Sequence, residues 1–341
     1  MAGQLHNTRT MAIFTETTEY HEAYARNWMR DLNATHPDRP LSAGYKVDVE
    51  GQKHGVRITV PLHEDQESGR VVLKFTPWSN GVDDDVDAAE AVALAASGAR
   101  VISLGIPGID QGTSKLTRSQ RRALKRGDFG QLARAQIEAA RKAYKLAFLE
   151  DMPDEVTIWG SSQGGSNAVA AAELLLQSGV NVRQLVIGST PALSERRLSR
   201  LALDYFADGP KTVRALGRYS LPWREPADKD LRWKTLPVFV TRMLTRAGSH
   251  YAPAAALAKG LDCDRIFNIA TRNTRMSVDF WAGENDPISP AERWQVLARS
   301  INAGRMAALA LVHILPGMPH GVTSDVSAIS VMARRVHLGT R

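Results

Sequence analysis

Short apolar runs alternate with stretches of helical period along most of the chain. Val71–Phe75, Val101–Leu104, Val156–Trp159, Val182–Ile187, Ser277–Trp281 and Leu309–Ile314 are each four to six residues long. Runs of that length between turn-forming residues read as buried strands. Between them, Asp87–Ser97, Gln120–Leu149, Ala168–Gln177, Pro290–Ser300 and Ser324–Val336 carry helical spacing, the second interrupted near Gly127–Gly130. Strands alternating with helices predict an α/β protein: a mostly parallel sheet with helices on both faces. Upstream, Tyr45–Val49 and Val56–Val60 alternate weakly and read as two strands separated by Gly51 and Gly55. Residues 15–35 place Tyr20, Tyr24, Trp28 and Leu32 at fourfold spacing, which predicts an amphipathic helix ended by Pro37 and Pro40.

The rhythm breaks over residues 193–275. This segment carries helical patterns, turn signals at Asp208-Gly209-Pro210 and Leu221-Pro222, and no convincing strand. It reads as a helical cap inserted between two sheet strands. The predicted organisation is an N-terminal helical extension over 1–43, a core built from 44–192 and 276–341, and the cap over 193–275. No internal repeat or low-complexity tract interrupts it.

Candidate chemistry begins with Gly160-Ser161-Ser162-Gln163-Gly164. The stretch lies between the strand Val156–Trp159 and an alanine-rich helical run. A strand, a sharp turn and a helix present the serine at the tip, with small residues where the chain segments crowd together. The helix start adds free N–H groups and a positive dipole end, both suited to a developing oxyanion. Ser162 is therefore the candidate nucleophile. The plainer alternative is a glycine-rich corner whose serine caps the helix.

A serine hydroxyl is a weak nucleophile without a base, and the base needs an orienting partner. The strand Ser277–Trp281 runs into Ala282-Gly283-Glu284-Asn285-Asp286-Pro287, and the last strand into Pro316-Gly317-Met318-Pro319-His320-Gly321. Both loops leave the carboxyl edge of the sheet, where open α/β sheets carry their sites. Asp286 is the candidate acid, with Glu284 its nearest rival and an N-cap or turn role its structural alternative. His320 is the candidate base. His313, inside an apolar strand, reads as a packed core histidine, and His250 as surface or substrate-lining.

The order Ser162, Asp286, His320 is that of the α/β-hydrolases. Residues from about 45 to 340 resemble that superfamily with a helical cap. Gly105-Ile106-Pro107-Gly108-Ile109-Asp110-Gln111-Gly112-Thr113-Ser114 resembles the loop after the family's fourth strand, usually D-x-x-G-x-G-x-S. Here Gly105 replaces the aspartate, and Asp110 stands where a small or aromatic residue is common. The resemblance implies an α/β-hydrolase sheet, a serine esterase or lipase-like activity and an oxyanion hole with one N–H from Gln163. Its second donor is expected in the loop after Val71–Phe75. That loop reads Thr76-Pro77-Trp78-Ser79 in place of the family's His-Gly. Proline offers no N–H, so Trp78 is the candidate, with its indole alternatively walling the pocket or packing the cap. Acyl transfer, or amide or thioester hydrolysis, would use the same residues. A non-catalytic binding or structural protein on the same scaffold is the rival from another class.

Composition narrows the setting. Of a net charge of +7, residues 193–275 hold 16 Lys or Arg against 8 Asp or Glu, leaving the remainder near neutral. Arginine outnumbers lysine 32 to 11, which a GC-rich genome would explain. The basic excess otherwise favours an anionic substrate; no motif for nucleic acid accompanies it. The expected partner is a small-molecule ester with an apolar acyl or an anionic group. The cap holds 8 of the 22 aromatic residues, chiefly for helix packing. The lone Cys263 excludes an internal disulfide, and its Asp-Cys-Asp context disfavours a thiolate. Asp83-Asp84-Asp85 and Asp87 read as acids complementing a helix start. No cofactor or metal is expected. A cytoplasmic location is expected from the absence of a signal-like or membrane-spanning apolar run.

Overall fold

The computed structural model describes residues 42–61, 67–78, 81–82, 85–110, 112–216, 247–304 and 308–320. The expected helices over 15–35 and Ser324–Val336, and the turn at Leu221-Pro222, lie outside these residues.

Among the described residues eight strands form one sheet in the order β1-β2-β4-β3-β5-β6-β7-β8. β1 (Ser42–Val49) and β2 (Gln52–Thr59) make an antiparallel hairpin, and β2 runs antiparallel to β4 (Arg100–Leu104). β3 (Val71–Phe75), β5 (Glu155–Ser161), β6 (Asn181–Gly188), β7 (Ser277–Gly283) and β8 (Leu309–Leu315) continue in parallel. Both residues of the two-residue hairpin turn, Glu50 and Gly51, have positive φ, 51° and 79°. That is the turn geometry matching strand twist. Gly55 lies inside β2 and does not separate two strands: a Cβ there would approach the Asp110 carboxylate to 2.6 Å.

The helices among the described residues are α1 (Asp85–Ala95), α2 (Arg118–Lys125), α3 (Gly130–Phe148), α4 (Gln163–Gln177), α5 (Leu198–Leu216), α6 (Ala247–Leu257), α7 (Asp262–Arg272) and α8 (Ala291–Asn302). α3, α4 and α8 cover one face of the sheet, with α7 packed on α4 and α8; α1 covers the other. Alternation along the strands assigns the residues. Ile158 and Gly160 face α4, and Phe280, in register with Gly160 through Ile187, stacks on Trp294 of α8 at 4.7 Å. Lys74 and Trp159 face α1.

The α1 face is unusually polar. Lys74, wholly buried, pairs with Asp87 and with Glu90 Oε2 at 2.8 Å, and Trp159 Nε1 donates to Glu90 Oε1 at 2.7 Å. Asp87 lies in the first turn of α1, as expected of an acid at a helix start, and its side chain is also turned into the sheet, onto Lys74. Burial, opposed by the Lys74 charge, pushes its carboxyl up to about 6.

The segment between β6 and β7 contributes α5, α6 and α7 and no strand among its described residues. The turn signal at Asp208-Gly209-Pro210 is overridden, because α5 runs through it from Leu198 to Leu216. Leu201 and Asp208 are buried on its inner side, and tertiary burial outweighs local propensity.

The sheet's topology places a crevice. From β3 the chain steps to β4 on one side, and β5 then returns to the other side of β3. Loops leaving β3 and β5 diverge at that switch point, where open α/β sheets bind ligands. Phe75 is in register with Gly160, Ser161 with Gly188, and Gly283 with Leu315, so the carboxyl ends share a rim.

Candidate active site

Ser162 follows β5 directly and precedes the first residue of α4. Its backbone has φ 50° and ψ −124°, a conformation costing a non-glycine residue about 1–3 kcal/mol. The surroundings hold it there. Its N–H donates to Gly188 O at 2.7 Å, and its carbonyl accepts from Gly165 N at 3.0 Å. Two neighbours must lack a side chain. A Cβ on Gly160 would stand 2.2 Å from Gly164 O, and one on Gly164 would stand 2.2 Å from Phe75 O. The glycines of the motif thus let strand, turn and neighbouring strand close on the serine.

His320 and Asp286 meet it from the other two loops. Ser162 Oγ lies 3.0 Å from His320 Nε2. His320 Nδ1 lies 3.0 Å from Asp286 Oδ2 and 3.2 Å from Oδ1. The Nδ1–H donates to the carboxylate, which leaves Nε2 as the acceptor for the serine hydroxyl. Asp286 is nearly fully buried and also makes the expected turn: its Oδ1 accepts from Ile288 N at 2.8 Å and Ser289 N at 2.9 Å. One carboxylate fixes its own loop and faces the histidine. The two loops are tied together by Asn285 N donating to Met318 O at 2.9 Å and Glu284 N to Leu315 O at 3.0 Å. Glu284, the rival acid, is exposed and accepts from Gly317 N at 2.8 Å.

The electrostatics of the pair are coherent. Burial alone would raise the Asp286 carboxyl and lower the His320 imidazole. The mutual charge and hydrogen bond outweigh it, holding Asp286 below the usual carboxylate range and His320 above the usual imidazole value. Asp208 raises His320 further and Arg196 opposes it.

Sequence reasoning missed three neighbours, all from the segment after β6. Tyr205 places its hydroxyl 3.1 Å from Ser162 Oγ. Asp208 Oδ2 accepts from His320 N at 3.2 Å. Arg196 reaches Pro287 O at 3.5 Å, beside Asp286, and pairs with Asp204 at 3.4 Å. The signal available was the spacing of Tyr205 and Asp208, one helical turn apart on one face.

The remaining candidates are distributed as follows. Gln163 is fully buried at the first position of α4, where main-chain N–H groups lack helical acceptors. The Trp78 indole Nε1 donates to His250 O at 3.2 Å, so the loop after β3 is tied to α6, and its ring lies 5.6 Å from Tyr205. His250 is buried, not a surface residue. His313 stacks on Trp281 at 4.1 Å and meets Asp279 Oδ1 at 2.9 Å, as a core histidine should. Asp110 is buried, its Oδ1 accepting from Val82 N at 2.7 Å. Burial and the flanking Asp262 and Asp264 charges push the Cys263 thiol up, away from thiolate chemistry. Among the described residues no group of three or more His, Cys, Asp or Glu is placed to hold a metal ion, and no helix is long and apolar enough to cross a membrane.

No protein-family model and no curated protein matches the sequence. Solved structures do match the fold. Bromoperoxidase from Bacillus anthracis aligns with a TM-score of 0.58 at 13% identity, over 87% of this chain and 100% of that one. MGS-M2, an alpha/beta hydrolase enzyme from a Medee basin deep-sea metagenome library, aligns at 0.54 and 12% identity, over 87% and 98%. Est1E from Butyrivibrio proteoclasticus, in its structure with ferulic acid bound, aligns at 0.52 and 12% identity, over 86% and 98%. The chain has the α/β-hydrolase fold.

Proposed function

We propose that this protein is a serine hydrolase that cleaves carboxylic esters through an acyl-enzyme. The reading is supported above all by the linked contacts of Ser162 Oγ to His320 Nε2 at 3.0 Å and His320 Nδ1 to Asp286 Oδ2 at 3.0 Å. A hydroxyl, a base and an orienting carboxylate in series are what nucleophilic acyl transfer needs.

In this reading His320 takes the Ser162 proton as Oγ attacks the carbonyl carbon. The carbonyl electrons move onto oxygen, where the Gln163 N–H and the N–H of Trp78 stabilise them. Asp286 holds the imidazolium. Collapse expels the alcohol, which takes the proton from His320, and water activated by the same base releases the acid. Residues 193–275 act as the cap, and Trp78 and Tyr205 wall the acyl or aryl portion of a small ester. A nitrophenyl ester series of increasing acyl length, with one hydroxycinnamate ester, tests this. The expected result is a pre-steady-state burst equal to the enzyme concentration. Steady turnover without a burst, unaffected by loss of Ser162, would reject the acyl-enzyme. Partition to added alcohols at the expense of water would mark an acyltransferase on the same residues.

The pH dependence follows from the direction of the His320 shift. Only neutral His320 accepts a proton, and its pKa lies above the usual 6.5. Activity should therefore be low in acid and rise through a midpoint above that value. Asp208 favours the imidazolium, so Asp208→Asn should move the midpoint of kcat/KM to lower pH. A profile measured from pH 5 to 9 in which the midpoint stays put or rises would contradict the role given to Asp208.

A further inference from the structure

We infer that the Tyr205 hydroxyl is a catalytic hydrogen-bond donor, serving Ser162 Oγ in the resting protein and the negative oxygen of the tetrahedral intermediate during reaction. The inference rests on the reading of Ser162 as nucleophile.

Its basis is the geometry around Oγ, which among the described residues has two side-chain partners at hydrogen-bond distance: His320 Nε2 at 3.0 Å and the Tyr205 hydroxyl at 3.1 Å. Ser162 has one proton, and Nε2 is the acceptor for it. The tyrosine must then donate to Oγ. The ring is held on two sides. Trp78 lies 5.6 Å away and tilted, and the His320 ring is met edge-on at 5.2 Å. Tyr205 thus stands over the nucleophile, between the base and the loop that follows β3. Burial pushes the phenol up, opposed only in part by the Ser162 hydrogen bond and Arg196 and reinforced by Asp286 and Asp208. The hydroxyl keeps its proton across the working range.

The loop after β3 supplies the reason for a donor here. Pro77 has no N–H, so this loop has one fewer main-chain group to offer an oxyanion. When Oγ bonds to the carbonyl carbon it becomes an ether-like oxygen and a poorer acceptor. The carbonyl oxygen, one bond further on, has gained the electron pair. The Tyr205 hydrogen bond shifts to it without proton transfer. The Ser162 proton still goes to His320 and from there to the leaving alcohol.

The test is Tyr205→Phe, which keeps the ring and removes the donor. Active sites are counted by titration with a fluorophosphonate, and the variant is compared with wild type on a nitrophenyl ester. Loss of one oxyanion donor lowers kcat by about 10²–10³-fold, with KM changed little, and the fluorophosphonate reaction should slow in parallel. An unchanged or raised kcat in Tyr205→Phe, beside an active wild type, overturns this inference and leaves the triad standing. An inert wild type overturns the triad. Should Tyr205→Phe fail to fold, 2,3,5-trifluorotyrosine at position 205 carries the test. A phenol that ionises at lower pH should bring kcat down at lower alkaline pH, and an unshifted alkaline profile overturns the proposal. The charged groups facing the phenol, His320, Asp286, Asp208 and Arg196, are identical in the two proteins.

Discussion

Ser162→Ala is expected to lower kcat on a nitrophenyl ester by about 10⁵–10⁶-fold, the order seen when a nucleophile acting with its base as one unit is removed. The loss should be far larger than for any single oxyanion donor, because no bond to the acyl group can then form. The substitution deletes only the oxygen that meets His320 and Tyr205. The elbow conformation is imposed by Gly188, Gly165 and the crowded glycines. Little change in the unfolding transition should accompany the loss. Activity is measured in the presence of excess substrate, with circular dichroism to compare the folded state. A variant retaining a tenth of wild-type kcat would mean that Ser162 is not the nucleophile.

Lys74→Met is expected to destabilise the fold by about 3–5 kcal/mol, the range for stripping one partner from a buried ionic group. Lys74 is fully buried, and its ammonium is the countercharge of both Asp87 and Glu90. Methionine fills the stem's volume but leaves two carboxyl groups in a dry layer. Burial already holds the Asp87 carboxyl near 6 with the cation present. Without the cation, burial pushes the Asp87 carboxyl further up, so folding near neutral pH requires protonating it. Urea unfolding at pH 7.5 and 5.5 checks this: the deficit should shrink at the lower pH, where Asp87 protonates more readily. The triple change Lys74→Met, Asp87→Leu, Glu90→Gln should recover most of the loss, with the glutamine oxygen still accepting from Trp159. A single variant as stable as wild type at pH 7.5 would contradict the pairing.

The sheet was legible because its central strands are buried on both faces and read as short, mostly apolar runs, as in Val71–Phe75 and Ser277–Trp281, each with one buried charged residue, Lys74 or Asp279. Val71–Phe75 matches end to end, and the others fall short by one to three residues at their ends, where no apolar pattern marks the boundary. The three loops bearing Ser162, Asp286 and His320 were legible for a related reason. Once strands alternate with helices, the residues just past each strand's end must share one rim. What the sequence could not reveal is how the helix after β6 crosses that rim. Tyr205 and Asp208 meet Ser162 and His320 because α5, which opens at Leu198, carries them there, and the sequence instead signalled a turn at Asp208-Gly209-Pro210, inside that helix. Lys74 and Asp87 are 13 residues apart on a strand and a helix. Their pairing depends on packing, and nothing in local period distinguishes Asp87 from an ordinary acid at a helix start. Of the two readings of His250, surface or substrate-lining, burial removes the first; its backbone carbonyl accepts from Trp78 on a distant loop, a contact no local pattern announces.

The most direct measurement is the mass and position of the adduct formed with a fluorophosphonate. Intact-protein mass spectrometry should show one phosphonyl group per chain, and peptide mapping should place it on Ser162. Formation should slow as pH falls and His320 is protonated, and it should vanish in Ser162→Ala. A well-folded wild-type protein that stays unmodified, or an adduct mapped to any other residue, would contradict the nucleophilic role of Ser162.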